Sequence, residues 1–168
     1  MSRIDILNQF GLKPKYASEE EKLEAVKQYG YSIKYIQNPS EELQLEAVKQ
    51  NGYSIQWIRN PSEAVQLEAI KQNGNHIQFI HNPSEAVQLE AVKQDGYSIQ
   101  YIQNPSEAAQ LEAVKENGYA IKYIDNPFEA VQLEAIKTLT YDYVDLITSE
   151  KALLEFCKRI VVEQVLNV

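Results

Sequence analysis

A 22-residue repeat governs most of this 168-residue chain. Copies occupy 16–37, 38–59, 60–81, 82–103 and 104–125, and a less regular sixth copy covers 126–147. A period this short and this faithful is typical of a solenoid, in which each repeat buries its apolar surface only by stacking on its neighbours. The repeat therefore predicts a stack of similar helical units, which together make one structural domain.

Each copy contains start and stop signals for helices. In the second copy, NPSEELQLEAVKQNGYSIQWIR, Asn38 is suited to cap a helix that begins at Pro39, and Gly52 is suited to the left-handed residue that ends it. The segment YSIQWI predicts one or two turns of a second helix before the next Asn-Pro. The glycines that recur in phase with Gly52 are Gly30, Gly74, Gly96 and Gly118. The expected fold class is all-α, an α-solenoid of six helix-turn-short-helix repeats spanning 16–147.

Both ends of the repeat array are expected to be covered. Residues 1–15 predict an N-terminal cap, and 148–168 predict a longer C-terminal capping helix, because the terminal repeats would otherwise expose their core. The wide apolar arc of this last helix leaves a homodimer contact as the alternative. The apolar residues of the N-terminal cap are Ile4, Ile6, Leu7 and Phe10. Those available for burial on the C-terminal helix are Leu153, Phe156, Cys157, Ile160, Val161 and Leu166.

The longer helix carries two apolar strips at helical spacing. Leu43 and Ala47 form one strip, while Leu45 and Val48 form another, so the helix is expected to pack on the repeats before and after it. A glutamine lies between the strips in five copies, and we expect its amide to satisfy backbone groups, with ligand binding as the alternative. These glutamines are Gln44, Gln66, Gln88, Gln110 and Gln132.

Charge and composition restrict the partners. The sequence is 44% hydrophobic and has no signal peptide or membrane-spanning segment, so a cytoplasmic protein that does not bind membranes is expected. A net charge of −8 repels phosphate backbones, which disfavours direct binding of nucleic acid and favours a protein partner with a basic patch. The acidic face that would meet this patch comprises Glu46, Glu68, Glu90, Glu112 and Glu134.

The sequence offers little to support catalysis. The single cysteine, Cys157, lies in an apolar helical pattern where a thiol is usually a small core residue. His76 and His81 are five residues apart, whereas metal ligands on one helical face need three or four. The serines lie where helices begin and the glycines where helices end, so neither predicts a nucleophile or a phosphate loop. No enzyme activity, metal or cofactor is expected.

The third copy departs from the others in GNHIQFIHNP, where Asn75 and His76 replace Tyr-Ser. Elsewhere, paired aromatics at i,i+4 predict a band along the short helices, and packing of Tyr53 on Val48 is favoured over an exposed binding surface. Asn75 would lack the equivalent contact with Ile70, and functional adaptation and drift remain equally open. The candidate partner-binding residues are Trp57, Arg59, Asn75, His76, Phe79, His81, Tyr101 and Gln103.

The motif LEAVKQNGYSIQWI and its variants over 23–147 resemble a family of short helical repeats of unknown function from bacterial, phage and large-virus proteins. The L-x-A-V-K-x-N-G pattern of that family is matched by Leu45, Ala47, Val48, Lys49, Asn51 and Gly52. The resemblance implies an all-helical repeat fold and no catalytic residues.

A non-enzymatic protein-binding module is therefore the expected function. The phage-borne members of that family suggest an inhibitor that binds the basic nucleic-acid groove of a host defence protein. The alternative is a binder of small molecules or nucleotides that uses the aromatic band around the third repeat.

Overall fold

The computed structural model describes residues 17–166, which form two compact units, the first ending at Val87 and the second beginning at Gln88. All regular secondary structure in this range is helical, and α-helices alternate with 3-10 helices, which confirms the predicted all-α repeat solenoid. The α-helices are α1 (Glu19–Gln28), α2 (Glu41–Gln50), α3 (Glu63–Gln72), α4 (Glu85–Gln94), α5 (Glu107–Glu116), α6 (Glu129–Ala135) and α7 (Glu150–Leu166). The 3-10 helices are η1 (Gly30–Tyr35), η2 (Gly52–Trp57), η3 (Gly74–Phe79), η4 (Gly96–Tyr101), η5 (Gly118–Tyr123) and η6 (Tyr141–Leu146). The N-terminal cap predicted over 1–15 lies outside the described residues.

The α-helices begin two residues later than Pro39 and its counterparts, so the predicted start was wrong. Ser40 is the N-cap of α2, and its hydroxyl accepts a hydrogen bond from the Leu43 N–H. Asn38 instead has a φ of 47°, a left-handed conformation that asparagine tolerates better than most residues. The Asn-Pro pair therefore forms the turn before the helix. The first copy lacks Asn-Pro, and its sequence Ser18-Glu19-Glu20-Glu21 predicts a capping box instead. Both hydrogen bonds of this box, between Ser18 and Glu21, are present.

The in-phase glycines are required by close approach, not by a left-handed backbone as predicted. None of the four glycines whose surroundings are described has a positive φ in the left-handed range. A Cβ atom at Gly30 would lie 2.5 Å from the carbonyl oxygen of Ala47, and one at Gly96 would lie 2.5 Å from that of Ala113. Both distances are well inside van der Waals contact, so the starts of η1 and η4 pack directly on the α-helix of the next repeat.

Small and β-branched residues form the core in place of the expected leucines. Ala47 and Val48 are fully buried and Leu43 is nearly so, whereas Leu45 is only half-buried. The leucine equivalent to Leu45 is also half-buried in every other described repeat, so the prediction that it is buried in a strip with Val48 was wrong. The alanine equivalent to Ala47 is fully buried in six copies, because only a small side chain lets the backbone of the neighbouring repeat come so close. These alanines are Ala25, Ala47, Ala69, Ala91, Ala113 and Ala135.

The repeated glutamine bonds to backbone, as the sequence predicts. The Gln44 side-chain N–H donates to the Pro39 carbonyl at 2.9 Å, and Gln132 makes the equivalent bond to Pro127 at 2.9 Å. Gln132 also accepts from the Thr148 N–H at 2.7 Å, so its amide joins its own turn to the segment before α7. The glutamine thus supplies partners to turn groups that the helices leave unpaired.

A second glutamine fastens consecutive repeats in the first unit. Gln72, in the last turn of α3, accepts a hydrogen bond from the Gly52 N–H at 2.6 Å. Its Nε2 donates to the carbonyls of Val48 at 2.5 Å and Lys49 at 3.0 Å, in the last turn of α2. Gln50 accepts from the Gly30 N–H at 2.8 Å in the same way. In these contacts, a side chain from the next repeat bonds to backbone N–H and carbonyl groups that have no partner within their own helix.

The sixth copy departs from the pattern because its sequence lacks the cap and the stop. Phe128 replaces the N-cap serine, no side chain caps α6, and this helix is only 7 residues long. Helix α7 follows it and buries Ala152 and Phe156, as expected for a C-terminal cap. Cys157 is exposed, so its assignment to the core was wrong.

We predict that Gly96→Ala lowers the free energy of unfolding by about 1–3 kcal/mol, because the new methyl group would overlap the Ala113 carbonyl. The backbone of Gly96 is outside the left-handed region, so without this contact alanine would stabilise the fold by about 0.4–1 kcal/mol. Urea denaturation of the two proteins measures the sign of the change. A more stable variant would contradict the close approach.

We also predict that Gln72→Met costs about 1–2 kcal/mol, since it leaves the Gly52 N–H and two helix-end carbonyls without their partner. Gln28→Met is the matched control, because Gln28 occupies the same repeat position in α1, is exposed like Gln72, and forms no hydrogen bond with a residue of another repeat within 17–166. The control is expected to change stability by less than about 0.5 kcal/mol. Equal effects of the two substitutions in thermal unfolding would show that the cross-repeat bonds contribute nothing.

Candidate partner-binding surface

The 3-10 helices hold aromatic rings at the surface because isoleucines anchor their other side. In η1 and the residue after it, Ile33 is 1% exposed and Ile36 is 7% exposed. These residues are three apart, which places them on the same side of a 3-10 helix with three residues per turn. The same anchoring pair recurs in η2 and η3, as Ile55 with Ile58 and Ile77 with Ile80. Each short helix is therefore a fixed support for the side chains that face solvent.

We define the aromatic band of the first unit as Tyr31, Tyr35, Tyr53, Trp57 and Phe79. The three tyrosines are 40–41% exposed, Trp57 is 51% exposed and Phe79 is half-buried. The Tyr53 ring packs edge-to-face on Tyr31 at 6.2 Å and on Phe79 at 4.9 Å between centroids. The favoured expectation of a buried Tyr53 on Val48 was therefore wrong, since the tyrosine ring packs on rings of the two adjacent repeats.

One lysine lies over the most exposed part of this band. The Lys34 ammonium is 4.6 Å from the Tyr35 ring centroid and 5.8 Å from that of Trp57, both within cation–π range. Lys34 is not among the binding residues that the sequence predicts, although its position in the repeat is unusual. Lysine replaces the usual glutamine at this position only in the first and fifth copies, as Lys34 and Lys122.

Charge is segregated between the two kinds of helix in the first unit. Segments 29–38, 51–60 and 73–82, which carry the band, contain no aspartate or glutamate and have Lys34 and Arg59 as cations. Within 17–87 every acidic residue belongs to an α-helix. The band is thus aromatic and weakly basic, whereas the acidity of the unit lies on its α-helices.

His76, a candidate binding residue, lies in the interior. It is 9% exposed, and its Nδ1 donates a hydrogen bond to the Ala69 carbonyl at 3.0 Å. A Cβ atom at Gly52 would be 2.8 Å from the His76 ring, which also packs edge-to-face on Tyr53 at 6.0 Å between centroids. Ser54 occupies the same place over Gly30, with its hydroxyl buried. The His76 imidazole therefore fills the space between two repeats that the Ser54 side chain fills one repeat earlier.

Asn75 keeps the backbone of the other copies. Its N–H donates to the Asn73 side chain at 2.9 Å, as the Tyr53 N–H donates to Asn51 at 3.0 Å. The Tyr53 ring packs on the rings of Tyr31 and Phe79, and Asn75 has no ring to take part in such contacts. The loss of a contact with Ile70 stays a prediction. The substitution changes only the side chain that the third copy presents at this half-buried position.

The remaining candidate residues divide between the units. Arg59 and His81 are exposed in the first unit, and Tyr101 and Gln103 are exposed in the second. The second unit has its own ring pairs, Tyr97 with Tyr123 at 5.8 Å and Tyr119 with Tyr143 at 4.8 Å between centroids. Their role in binding stays a prediction.

In the second unit, Lys122 also lies over two aromatic rings, one of which belongs to the preceding repeat. Its ammonium lies 4.7 Å from the Tyr123 ring centroid and 5.3 Å from that of Tyr97. A hydrogen bond with Tyr123 raises the pKa of Lys122, and this effect exceeds the opposing effect of burial. The aromatic rings of both units thus accept a cation.

The predicted acidic face is only partly exposed. Glu68, Glu112 and Glu134 each pair with a lysine three residues later, at 3.5, 3.8 and 2.5 Å. Their side chains are 25–32% exposed, and the lysines are more exposed than the glutamates. These pairs offset much of the charge that the face would offer to a basic partner.

An exposed ion pair also joins α6 to α7. Glu129 bonds to Lys151 at 3.2 Å and to the Ser149 hydroxyl at 3.0 Å. Its hydrogen bond with Lys151 first, and that with Ser149 second, lower the pKa of Glu129.

Helix α7 leaves a second apolar surface uncovered. Leu153, Leu154, Val161 and Val162 are 38–58% exposed. The homodimer contact expected through this helix remains a prediction.

Two further searches bear on the chemistry of the described chain. Between residues 17 and 166 no group of three or more His, Cys, Asp or Glu side chains is arranged to hold a metal ion. None of the helices in this range combines the length and apolar character needed to cross a membrane.

Comparison with protein-family models, curated protein sequences and solved structures finds no match. The resemblance of the LEAVKQNGYSIQWI motif to a family of short helical repeats therefore remains a prediction.

We predict that His76→Ser lowers the free energy of unfolding by about 1–3 kcal/mol, because it removes a buried ring and its bond to the Ala69 carbonyl. Ser54→Ala is the comparison, since the buried Ser54 hydroxyl has no hydrogen-bond partner and its loss is expected to be nearly neutral. Differential scanning calorimetry measures both. A gain in stability on restoring serine would instead indicate that histidine strains the interface between repeats.

Proposed function

We propose that this protein is a non-enzymatic binding module that docks another protein on the aromatic band of its first unit. The observation that carries the proposal is the exposure of Trp57, Tyr35 and Tyr53 on short helices whose isoleucines fix them to the core. Tyrosine and tryptophan supply large contact areas for little loss of side-chain entropy, and they are the residues most enriched among binding hot spots.

The partner is proposed to present a basic patch. The net charge of −8 attracts basic surfaces over long range, which raises the rate of encounter. At the surface itself, the Lys34 ammonium lies 4.6 Å from the Tyr35 ring centroid, which supports recognition of a basic group by these rings. The α-helical glutamates contribute mainly to steering, because several are already paired with lysines.

The role suggested by the phage-borne repeats is consistent with this chemistry and forms part of the proposal. A protein that handles nucleic acid has a basic groove, and an acidic repeat protein with exposed aromatics would compete for that groove. His76 does not support the alternative small-molecule site, because its ring fills the space between two repeats.

We predict that Trp57→Ala weakens partner binding by about 2 kcal/mol, the loss typical of a hot-spot residue. Affinity capture from the native host with the wild-type protein supplies the partner, and calorimetry with the purified pair measures the change. Leu154→Ala is the control, because Leu154 is 56% exposed on α7, outside the band. Equal affinities of wild type and Trp57→Ala for every captured protein would contradict docking at the band.

A further inference from the structure

We propose that Tyr35 and Trp57 form a binding site for the guanidinium group of an arginine on the partner, and that Lys34 occupies this site in the free protein. This inference deepens the proposed function and rests on it. It specifies both the ligand chemistry and the residues that recognise it.

The two rings are the part of the band that the ring ladder leaves available. Among the described residues, the ring contacts of Tyr31, Tyr53 and Phe79 are with one another or with His76. Tyr35 and Trp57 instead have Lys34 as their ring partner within 17–166. They are also 41% and 51% exposed, so their faces are accessible from solvent.

The occupant identifies the class of ligand. The Lys34 ammonium already lies within cation–π distance of both ring centroids. Lys122 also lies over two rings, but its second ring, Tyr97, belongs to the preceding repeat, whereas Trp57 belongs to the repeat after Lys34. Rings of both units therefore contact a cation, and the pairing of Tyr35 with Trp57 belongs to the first two copies. Because Lys34 is exposed and long, an incoming cation can displace it without disturbing the core.

Guanidinium fits this site better than a second ammonium does. It is planar, stacks on aromatic faces and is more weakly hydrated than ammonium, so it loses less hydration on leaving water. No carboxylate belongs to segments 29–38 or 51–60, which carry the rings. The local preference for arginine over lysine is therefore expected to come from stacking on the rings, which is more favourable for a guanidinium than for an ammonium group.

Trp57 is the single tryptophan of the chain, so its fluorescence reports directly on the site. The test titrates the full chain with a capped tetra-arginine peptide and, separately, with a capped tetra-lysine peptide of equal charge. We expect the arginine peptide to change Trp57 emission and to bind about two- to fivefold more tightly than the lysine peptide, the range for one exposed cation–π contact. Equal affinities would overturn the proposal, because they would show attraction by charge alone.

Substitutions distinguish binding of arginine to the two rings from attraction by net charge. Lys34→Gln is expected to strengthen arginine-peptide binding about two- to fivefold, because it vacates the site. Lys49→Gln is the matched control, since it removes the same charge from an exposed position on α2, outside the band. An equal gain from both substitutions would overturn the role of Lys34.

Calorimetry with Tyr35→Ala and Trp57→Leu completes the test, and each variant is expected to weaken arginine-peptide binding at least twofold. Unchanged binding would place the peptide elsewhere and overturn the proposal.

A single-stranded oligonucleotide is the remaining probe, because bases also stack on exposed aromatics. If it bound more tightly than the arginine peptide, the site would be one for nucleic acid and the proposal would be wrong. Because these probes need no natural partner, they distinguish failure of the arginine site from failure of the proposed function.

Discussion

The contact between a glycine and the alanine carbonyl of the next repeat is the constraint on which the rest of the structure depends. At Gly30 and Gly96 a single added carbon would lie 2.5 Å from that oxygen, so the backbone of one repeat rests directly on the helix of the next. The close contact also requires the buried alanines, because a larger side chain there would keep the two backbones apart. Since both residues are small, the remaining apolar side chains and the glutamine hydrogen bonds align consecutive repeats in one register.

This close stacking explains why the aromatic rings are at the surface. The space between successive repeats is filled by Ile33 and its equivalents and by small residues, and the described tyrosines of the first unit are exposed. The rings instead pack edge-to-face along the outside and retain about two fifths of their area in water. A half-exposed ring that is held by its neighbours loses little freedom on binding, which is the property of a preorganised binding surface.

The third copy shows how the same constraint accommodates a change. His76 lies over Gly52 at the position where the first, second and fourth copies have serine, and its Nδ1 donates to the Ala69 carbonyl that faces the glycine. The substitution therefore exchanges a small buried hydroxyl for a buried ring with one suitable donor. Whether it also affects recognition stays a prediction, and the half-buried Asn75 and the exposed His81 are the neighbouring candidates that reach solvent.

The sequence by itself determined the repeat, the all-α class, the capping box at Ser18 and the backbone bonds of Gln44, because these follow from local spacing and from hydrogen-bond groups within a few residues. Only the tertiary structure decided what each repeat presents to its neighbour. A glycine after a helix is compatible with a left-handed stop and with a close approach, and the sequence does not distinguish them. A tyrosine after that glycine is likewise compatible with a staple and with an exposed ladder. Which of these structures forms depends on the distance between consecutive repeats. That distance is set by the contact of Gly30 with the Ala47 carbonyl, two residues that are 17 positions apart in the sequence. At that distance His76 is buried, whereas Trp57 and Tyr35 are exposed.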